Sequence, residues 1–323
     1  MQSPKKHRGI ALITALLVMA LAAIAAAAVL VSAQTALRRT ATLIDGEKAW
    51  WYATGLESFA RKAIDSAPRK STTYDGLDEY WAKPLVFPAD QGVLRGQVSD
   101  LQGRFNLNNL GAATLPPTPG PNPQALAQFL GLFNNNPKLL HYAGQAPAIA
   151  DAIKDWIDAD QQPTGGGAED DYYSSLKPPY LAANRQMKSP TELLAVRGMT
   201  PEIYQLLLPF VAALPLGANN APTKVNVNTA PDELLMSLSA GMTSQQVGQI
   251  VNARPIDTAG FAMLKANGSL PPNTADLVDI RTSYFLLFGE ASIGTARVAL
   301  YSVLMRPTPN GKLVVTSRSL DTE

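Results

Sequence analysis

The chain has 323 residues, 46% of them apolar and only 16% charged, with a net charge of +1. A balance this close to zero gives no global field to draw in nucleic acid or an acidic surface. There is no cysteine, which excludes disulfides, zinc-thiolate sites and cysteine nucleophiles. With only His7 and His141 present, a Ser-His-Asp relay or multi-histidine centre would rest on His141 alone. His141 follows Leu139 and Leu140 in a helical-looking stretch and reads as structural. No nucleophile-plus-base pair stands out, and Gly165, Gly166 and Gly167 lack the Gly-Lys-Ser/Thr ending of a phosphate-binding loop. The chain therefore reads as a non-enzyme.

Ile10 to Ala33 is a 24-residue uncharged run broken only by Thr14 and Ser32. As a helix it would be about 36 Å long, enough to cross a bilayer with some tilt. Lys5, Lys6 and Arg8 precede it, which keeps the N-terminus cytoplasmic and sends everything after Ala33 across the membrane. A cleavable secretory signal has an apolar region of about 7–15 residues, so this longer run reads as retained. Gln34 to Ala67 contains no proline, and Leu37, Ala41, Ile44, Trp51, Leu56, Phe59 and Ala63 recur at helical spacing until Pro68 supplies a stop. Membrane run and amphipathic run together predict one helix on the order of 85–90 Å long.

Further on, Leu85-Val86-Phe87, Gly92 to Val98 and Arg104 to Leu107 read as strands. Asp100-Leu101-Gln102-Gly103 predicts a hairpin between the last two. Leu115 to Pro123, with five prolines, reads as an extended linker. The middle, about 109–279, reads as helical with loops. Tyr284 to Ile293, Ala296 to Met305 and Lys312 to Ser317 read as three strands. Strands on both sides of a helical block predict one sheet carrying a large insertion.

Two segments of the middle carry chemistry. Asp155 to Asp171 holds six acidic side chains in seventeen residues, running from a helix end into a glycine-rich loop. Asp158, Asp160 and Glu169 fall at positions 1, 3 and 12 of a calcium-loop spacing, but Pro163 stands where that motif needs glycine, so this is not an EF-hand. A solvated acidic loop is the plain reading, yet so many carboxylates in one loop favour a bound cation. The second feature is a duplicated helix-turn-helix element. Ser189 to Pro201 and Thr229 to Thr243 each open on a capping-box pattern, Ser189 with Glu192 and Thr229 with Asp232. Each turns at a glycine, Gly198 or Gly241, and recaps with a threonine, Thr200 or Thr243. These pairs resemble helix-hairpin-helix DNA-binding modules, and Val225-Asn226-Val227-Asn228-Thr229-Ala230 is similar to membrane-anchored DNA receptors. Against that, the second glycine of the turn is threonine in both copies, and residues 181–254 hold five Lys or Arg against four Asp or Glu.

The N-terminus carries the more specific likeness. A basic leader ending in Gly9, followed by Ile10-Ala11-Leu12-Ile13-Thr14-Ala15-Leu16-Leu17, resembles the prepilin class of signal. By that resemblance prepilin peptidase cuts between Gly9 and Ile10, and Ile10 becomes N-methylated. Pilins mostly carry Glu at the fifth mature position, where it neutralises the terminal amine of the adjoining subunit; here Thr14 stands there. Its absence, with the large size, resembles the general secretion pathway protein K family, the minor pseudopilins of type II secretion. The resemblance implies an α+β pilin-like fold, in which a long N-terminal transmembrane and amphipathic helix lies on a small antiparallel sheet and an all-helical domain is inserted between strands. Residues 1–9 would be the leader, 10–33 the transmembrane part, 34–108 and 280–323 the pilin-like domain, and 109–279 the insertion. It implies a place at the tip of the pseudopilus, initiating or capping assembly. The chain would be anchored in the bacterial inner membrane with its bulk periplasmic. The implied partners are I- and J-type minor pseudopilins, with the outer-membrane secretin or exported proteins as further contacts, and no nucleic acid. An ordinary type IV pilus minor pilin is the structural alternative. The family also implies a structural Ca2+ site, for which Asp158, Asp160, Glu169 and Asp170 are the expected ligands, Asp155 and Asp171 further candidates, and backbone carbonyls the rest of the shell.

Overall fold

The computed structural model describes residues 8–65, 73–89, 91–114, 120–308 and 311–320. Most of the leader and part of the expected linker (residues 115–119) lie outside these, as does Pro68. Helix α1 spans Arg8–Asp65 without interruption, about 87 Å at the standard rise. The helix is continuous because no proline occurs in it; its threonines turn their hydroxyls onto the preceding turn, as Thr35 does to the Val31 carbonyl at 2.8 Å.

A five-stranded antiparallel sheet lies against the membrane-distal third of α1. Its strands are β1 (Leu85–Ala89), β2 (Gly92–Asp100), β7 (Tyr284–Ile293), β8 (Ala296–Met305) and β9 (Val314–Leu320), paired in that order. Neighbours β2 and β7 pair from Gly92↔Ile293 to Asp100↔Phe285, so the whole stretch 101–283 leaves and re-enters the sheet between adjacent strands. The turn into β8 passes close to α1. Gly294 has φ +54°, and a Cβ there would fall 2.2 Å from Asp45 Oδ2, so glycine is required on both counts.

Alanines let α1 approach the sheet closely. Ala49, Ala53, Leu56, Ala60, Ala63 and Ile64 are buried against Phe285, Leu287, Ala291, Ile293, Leu300 and Leu304. One carboxylate is buried among them. Glu57 accepts from Ser302 Oγ at 3.0 Å and from Arg318 at 2.7 and 3.0 Å. Burial opposes its charge, but the hydrogen bonds from Arg318 and Ser302 outweigh burial and hold the carboxyl below its ordinary range.

The insertion is built from α2 (Pro123–Asn135), α3 (Ala146–Ile157), α4 (Asp170–Ser174), α5 (Pro201–Leu207), α6 (Asp232–Ser237), α7 (Ser244–Asn252) and α8 (Thr258–Ala266) around one apolar core. Two minimal parallel strand pairs stitch it: β3 (Phe105–Asn106) with β4 (Val211–Ala212), and β5 (Val225–Asn226) with β6 (Val278–Asp279). The expected hairpin between Gly92–Val98 and Arg104–Leu107 is therefore corrected. β2 pairs with β1 and β7, and Phe105–Asn106 leaves the sheet for Val211–Ala212. Asp100 does open a turn, accepting the N–H of Gln102 at 2.7 Å at the start of the 3-10 turn Leu101–Gly103, and it also accepts from Asn226 Nδ2 at 2.8 Å and Thr229 Oγ1 at 2.6 Å.

That same bond corrects the second expected capping box. Thr229 is spent on Asp100, and Pro231 stands at the N-cap of α6 with no side-chain cap. In the first copy Ser189 caps a 3-10 turn, and Glu192 reaches the N–H of Lys188 at 2.7 Å rather than that of Ser189. Thr200 and Thr243 cap α5 and α7 as expected, Thr243 within a full capping box with Gln246. Gly198 takes φ +81°; Gly241 does not enter the left-handed region.

Candidate functional site

Two features stand apart from the packed core. The first is the unburied surface of α1. From Ile10 onward the helix is long and apolar enough to cross a membrane, and its apolar stretch is not buried against the rest of the chain. The first carboxylate along it is Asp45. At the fifth position of the expected mature chain, Thr14 returns its hydroxyl to the Ala11 carbonyl at 3.0 Å. Beyond the membrane run, Leu37, Ile44 and Trp51 recur every seven residues and are 71%, 47% and 65% exposed. They lie on the side of the helix opposite the alanine face. The single apolar stripe expected from the sequence is thus two stripes: the alanine-rich one meets the chain's own sheet, and the Leu-Ile-Trp one is free. A free apolar stripe at seven-residue spacing is a surface for another helix.

The second feature is the acidic loop. The last turn of α3 delivers Asp155 and, at its C-cap, Asp158; the loop supplies Asp160, and α4 begins just after Glu169. Asp155 is fully buried and accepts the N–H of Thr164 on both oxygens, at 3.0 and 3.1 Å, folding the loop back over the helix end. Gly167 lies so close that a Cβ would fall 1.9 Å from Asp155 Oδ2. Its carbonyl is held by Arg197 Nη1 at 2.7 Å.

Inside this frame, one carboxylate oxygen from each of Asp158, Asp160 and Glu169 lies within 4.8 Å of the others. Glu169 is 3% exposed, and neither of its oxygens has a hydrogen-bond partner; Asp158 Oδ1 is buried and unpartnered too. Burial first, then the charges of Asp155, Asp158, Asp160 and Asp170, push the Glu169 carboxyl up to about 7. Burial likewise raises Asp155 and Asp158, the latter against the hydrogen bond from Lys154. Buried polar atoms are almost always satisfied. Both oxygens of Glu169 and Oδ1 of Asp158 are thus orphaned, and oxygens of this kind are what a hard divalent cation takes, 6–8 of them from a loop able to wrap it.

The family description "Type II secretion system (T2SS), protein K" matches residues 103–216 and again 225–276. The "Type II secretion system protein K" of Aeromonas hydrophila is 34% identical over 98% of both chains. That of Pseudomonas aeruginosa is 35% identical over 97% of this chain and 93% of its own. The chain belongs to the type II secretion system protein K family. The fold agrees. A chain from "The Crystal Structure of the GspK-GspI-GspJ complex from enterotoxigenic Escherichia coli Type 2 Secretion System" superposes with a TM-score of 0.68 at 25% identity, covering 88% of this chain and all of that one. This protein K relative is therefore a minor pseudopilin, a structural part of the secretion machinery, and α1 is the apolar helix suited to anchoring it in the inner membrane.

Among the ligands expected from sequence, the structure brings Asp158, Asp160 and Glu169 together. Asp170 lies near enough to act on Glu169, but its Oδ1 accepts the N–H of Ala182 at 2.8 Å. Asp155 shapes the loop, and Asp171 is exposed outside the group. Sequence reasoning missed Lys154, Gly167 and Arg197. The first was findable, since Lys154 precedes Asp158 by four residues on a helix; Arg197 is thirty residues from the carbonyl it holds and gave no signal.

Proposed function

We propose that this pseudopilin sits at the tip of the type II secretion pseudopilus, where it initiates or caps assembly. The observation that carries this reading is the carboxylate-free stretch of α1 from Ile10 to Ile44, with Thr14 at the fifth position turned onto its own helix. A subunit without a carboxylate there has nothing to offer the terminal amine of an adjoining helix in an apolar environment. It is suited to a position with one neighbour missing, and the insertion between β2 and β7 adds bulk that further subunits would have to clear. In this reading prepilin peptidase cuts between Gly9 and Ile10, Ile10 is N-methylated, and the sheet and insertion face the periplasm. The Leu37-Ile44-Trp51 stripe receives helices of I- and J-type minor pseudopilins, and the insertion faces the secretin or exported proteins. The acidic loop holds a structural Ca2+ through Asp158, Asp160 and Glu169, with Asp170 and backbone carbonyls in support. The ion would supply the positive charge that the orphaned oxygens lack and fix the loop over α3.

The test is co-purification of the full chain with its I- and J-type partners from a membrane extract, with mass analysis of its N-terminus. A ternary complex whose K subunit begins at methylated Ile10 is expected. A chain that begins downstream of Ala33, or that forms no such complex, would overturn the proposal.

A further inference from the structure

Lys154 lies on α3 one turn before Asp158, and its Nζ is 2.5 Å from Asp158 Oδ2. The pair is 19% and 15% exposed, so solvent screens it only in part. As a stabilising helix pair it is poorly arranged. A lysine N-terminal to an acid at this spacing is the weaker orientation, and Asp158 is at the C-cap, the negative end of the helix dipole. Its other oxygen, Oδ1, is buried and unpartnered, and Asp158 converges with Asp160 and Glu169. The carboxylate that holds the ammonium through Oδ2 therefore also belongs to the converging acidic group, and its Oδ1 is without a partner.

We propose that Lys154 is a built-in cation of the acidic site that competes electrostatically with a bound divalent ion and keeps its affinity weak. This inference rests on the reading of the loop as a Ca2+ site. Without metal, the ammonium offsets part of the repulsion among Asp158, Asp160 and Glu169. With metal, a divalent ion bound through Asp158 would share that carboxylate with Nζ. At a separation on the order of 5 Å, even a water-like dielectric makes that repulsion worth more than tenfold in affinity. Ammonium and divalent ion therefore weaken one another reciprocally. The consequence is a site whose filling follows the calcium level outside the cytoplasm, in the roughly 0.1–1 mM range of extracellular modules, rather than one that is permanently loaded.

The test compares the detergent-solubilised full chain with Lys154→Met and Lys154→Arg, by calorimetric titration with CaCl2 and by Tb3+ luminescence excited through Trp156. Methionine keeps the apolar stem and removes the charge; arginine keeps the charge. The Ca2+ dissociation constant should fall about tenfold or more in K154M and stay within about threefold in K154R. The metal-free melting temperature should fall in K154M. If K154M does not fold without metal, Lys154→Gln takes its place in the titration. Binding by K154M where the wild type shows none would support the inference in its strongest form. Equal dissociation constants in wild type and K154M would overturn it while leaving the Ca2+ reading intact. No binding of Ca2+ or Tb3+ by any of the chains would show that the Ca2+ reading itself has failed, and the inference with it.

Discussion

Glu169→Gln probes the acidic loop directly, because its effect should reverse sign with metal. The Glu169 carboxyl, at about 7 in the fold, stands above its ordinary 4.5. Between those two values the metal-free folded chain binds more protons than the unfolded chain, so its stability falls as pH rises. This contribution is complete below about pH 4.5 and lost as pH climbs through about 7. The full difference corresponds to about 3 kcal/mol, and solvent screening cuts it to roughly half. Glutamine cannot lose a proton and carries no charge to repel its neighbours. In EDTA at pH 8, E169Q should therefore be more stable than the wild type by about 1.5–3 kcal/mol, on the order of 5 °C in melting temperature. At pH 5 the two should nearly coincide. In about 0.1 M CaCl2 at pH 8, some hundredfold or more above the roughly 0.1–1 mM affinity inferred for the site, the order should invert, because the ion then adds about 3–4 kcal/mol to the wild type and the variant lacks one of three converging carboxylates. Melting of the detergent-solubilised chain by circular dichroism at pH 5 and pH 8, with EDTA and with calcium, gives all four numbers. If the metal-free wild type and E169Q lose stability equally between pH 5 and pH 8, the electrostatic account of Glu169 is wrong.

Four further substitutions test other contacts in the structure. Gly167→Ala places a methyl group on top of Asp155, and should cost about 1–3 kcal/mol while abolishing Tb3+ luminescence sensitised by Trp156; a variant that still sensitises Tb3+ would mean the loop is not held as described. Arg318→Ala leaves the buried Glu57 charged with only Ser302 as partner, and should cost about 3 kcal/mol by denaturant melting, whereas Glu57→Gln frees a half-exposed arginine to solvent and should cost about 1. Because Arg318 and Ser302 hold Glu57 below its ordinary value, that pair stabilises the fold above about pH 4.5, and its contribution is lost as pH falls through the folded value. Trp51→Glu alters an exposed side chain on the free stripe of α1, so melting should change by less than about 0.5 kcal/mol while co-purification with the I- and J-type partners is lost; intact assembly would remove the stripe from the interface.

What the sequence revealed and what it hid divide along contact distance. α1 was legible as one continuous helix, unbroken through Asp65, the last described residue of that stretch, because an unbroken apolar run followed by helical spacing is a local signal. The C-terminal strands were legible for the same reason, with runs of Val, Leu and aromatics between turns. The turn at Asp100 was legible but the hairpin was not, because the partners Asn226 and Thr229 are more than a hundred residues away, and a turn-forming sequence looks alike whether its aspartate faces water or a buried donor. Asn108 shows the same effect. Its amide clasps both the N–H and the carbonyl of Met187, at 2.8 and 2.9 Å, and Asn228 treats Ile256 in the same way at 2.7 and 2.9 Å. The segments Asn106-Leu107-Asn108 and Asn226-Val227-Asn228 are thus equivalent in use, although the sequence suggested duplication only in Ser189–Pro201 and Thr229–Thr243. In the acidic loop the ligand types and spacing were local and readable, while the division of labour was not. That Asp155 braces the loop and Glu169 is left bare depends on how α3 packs.

The joint between sheet and insertion is polar, and this bears on what a tip subunit needs. Apolar contacts are non-directional and allow one body to roll on another, whereas hydrogen bonds fix an angle. Asp100, at the end of β2, accepts from Asn226, Thr229 and the N–H of Gln102. Gln102 in turn accepts from Ser283 N at 2.5 Å, just before β7. Beside them Asp75 and Arg306 form a buried ion pair at 2.8 Å, and Asp75 also accepts from Thr282 N. A buried ion pair of this kind adds little net stability against an apolar equivalent, so its use here is better accounted for by orientation. Asp100→Asn keeps the shape but turns an amide N–H toward groups that already donate, and should let the insertion swing. The absence of cysteine makes this measurable. Spin labels at Leu43→Cys on α1 and Met263→Cys on α8, both exposed positions, should give one narrow distance distribution in an otherwise native chain. With D100N the distribution should become distinctly broader while the helical content is unchanged. Equal widths would mean that the apolar contacts around Leu101, Ala212, Leu214 and Leu286 hold the angle by themselves, and that the polar joint has no orienting role.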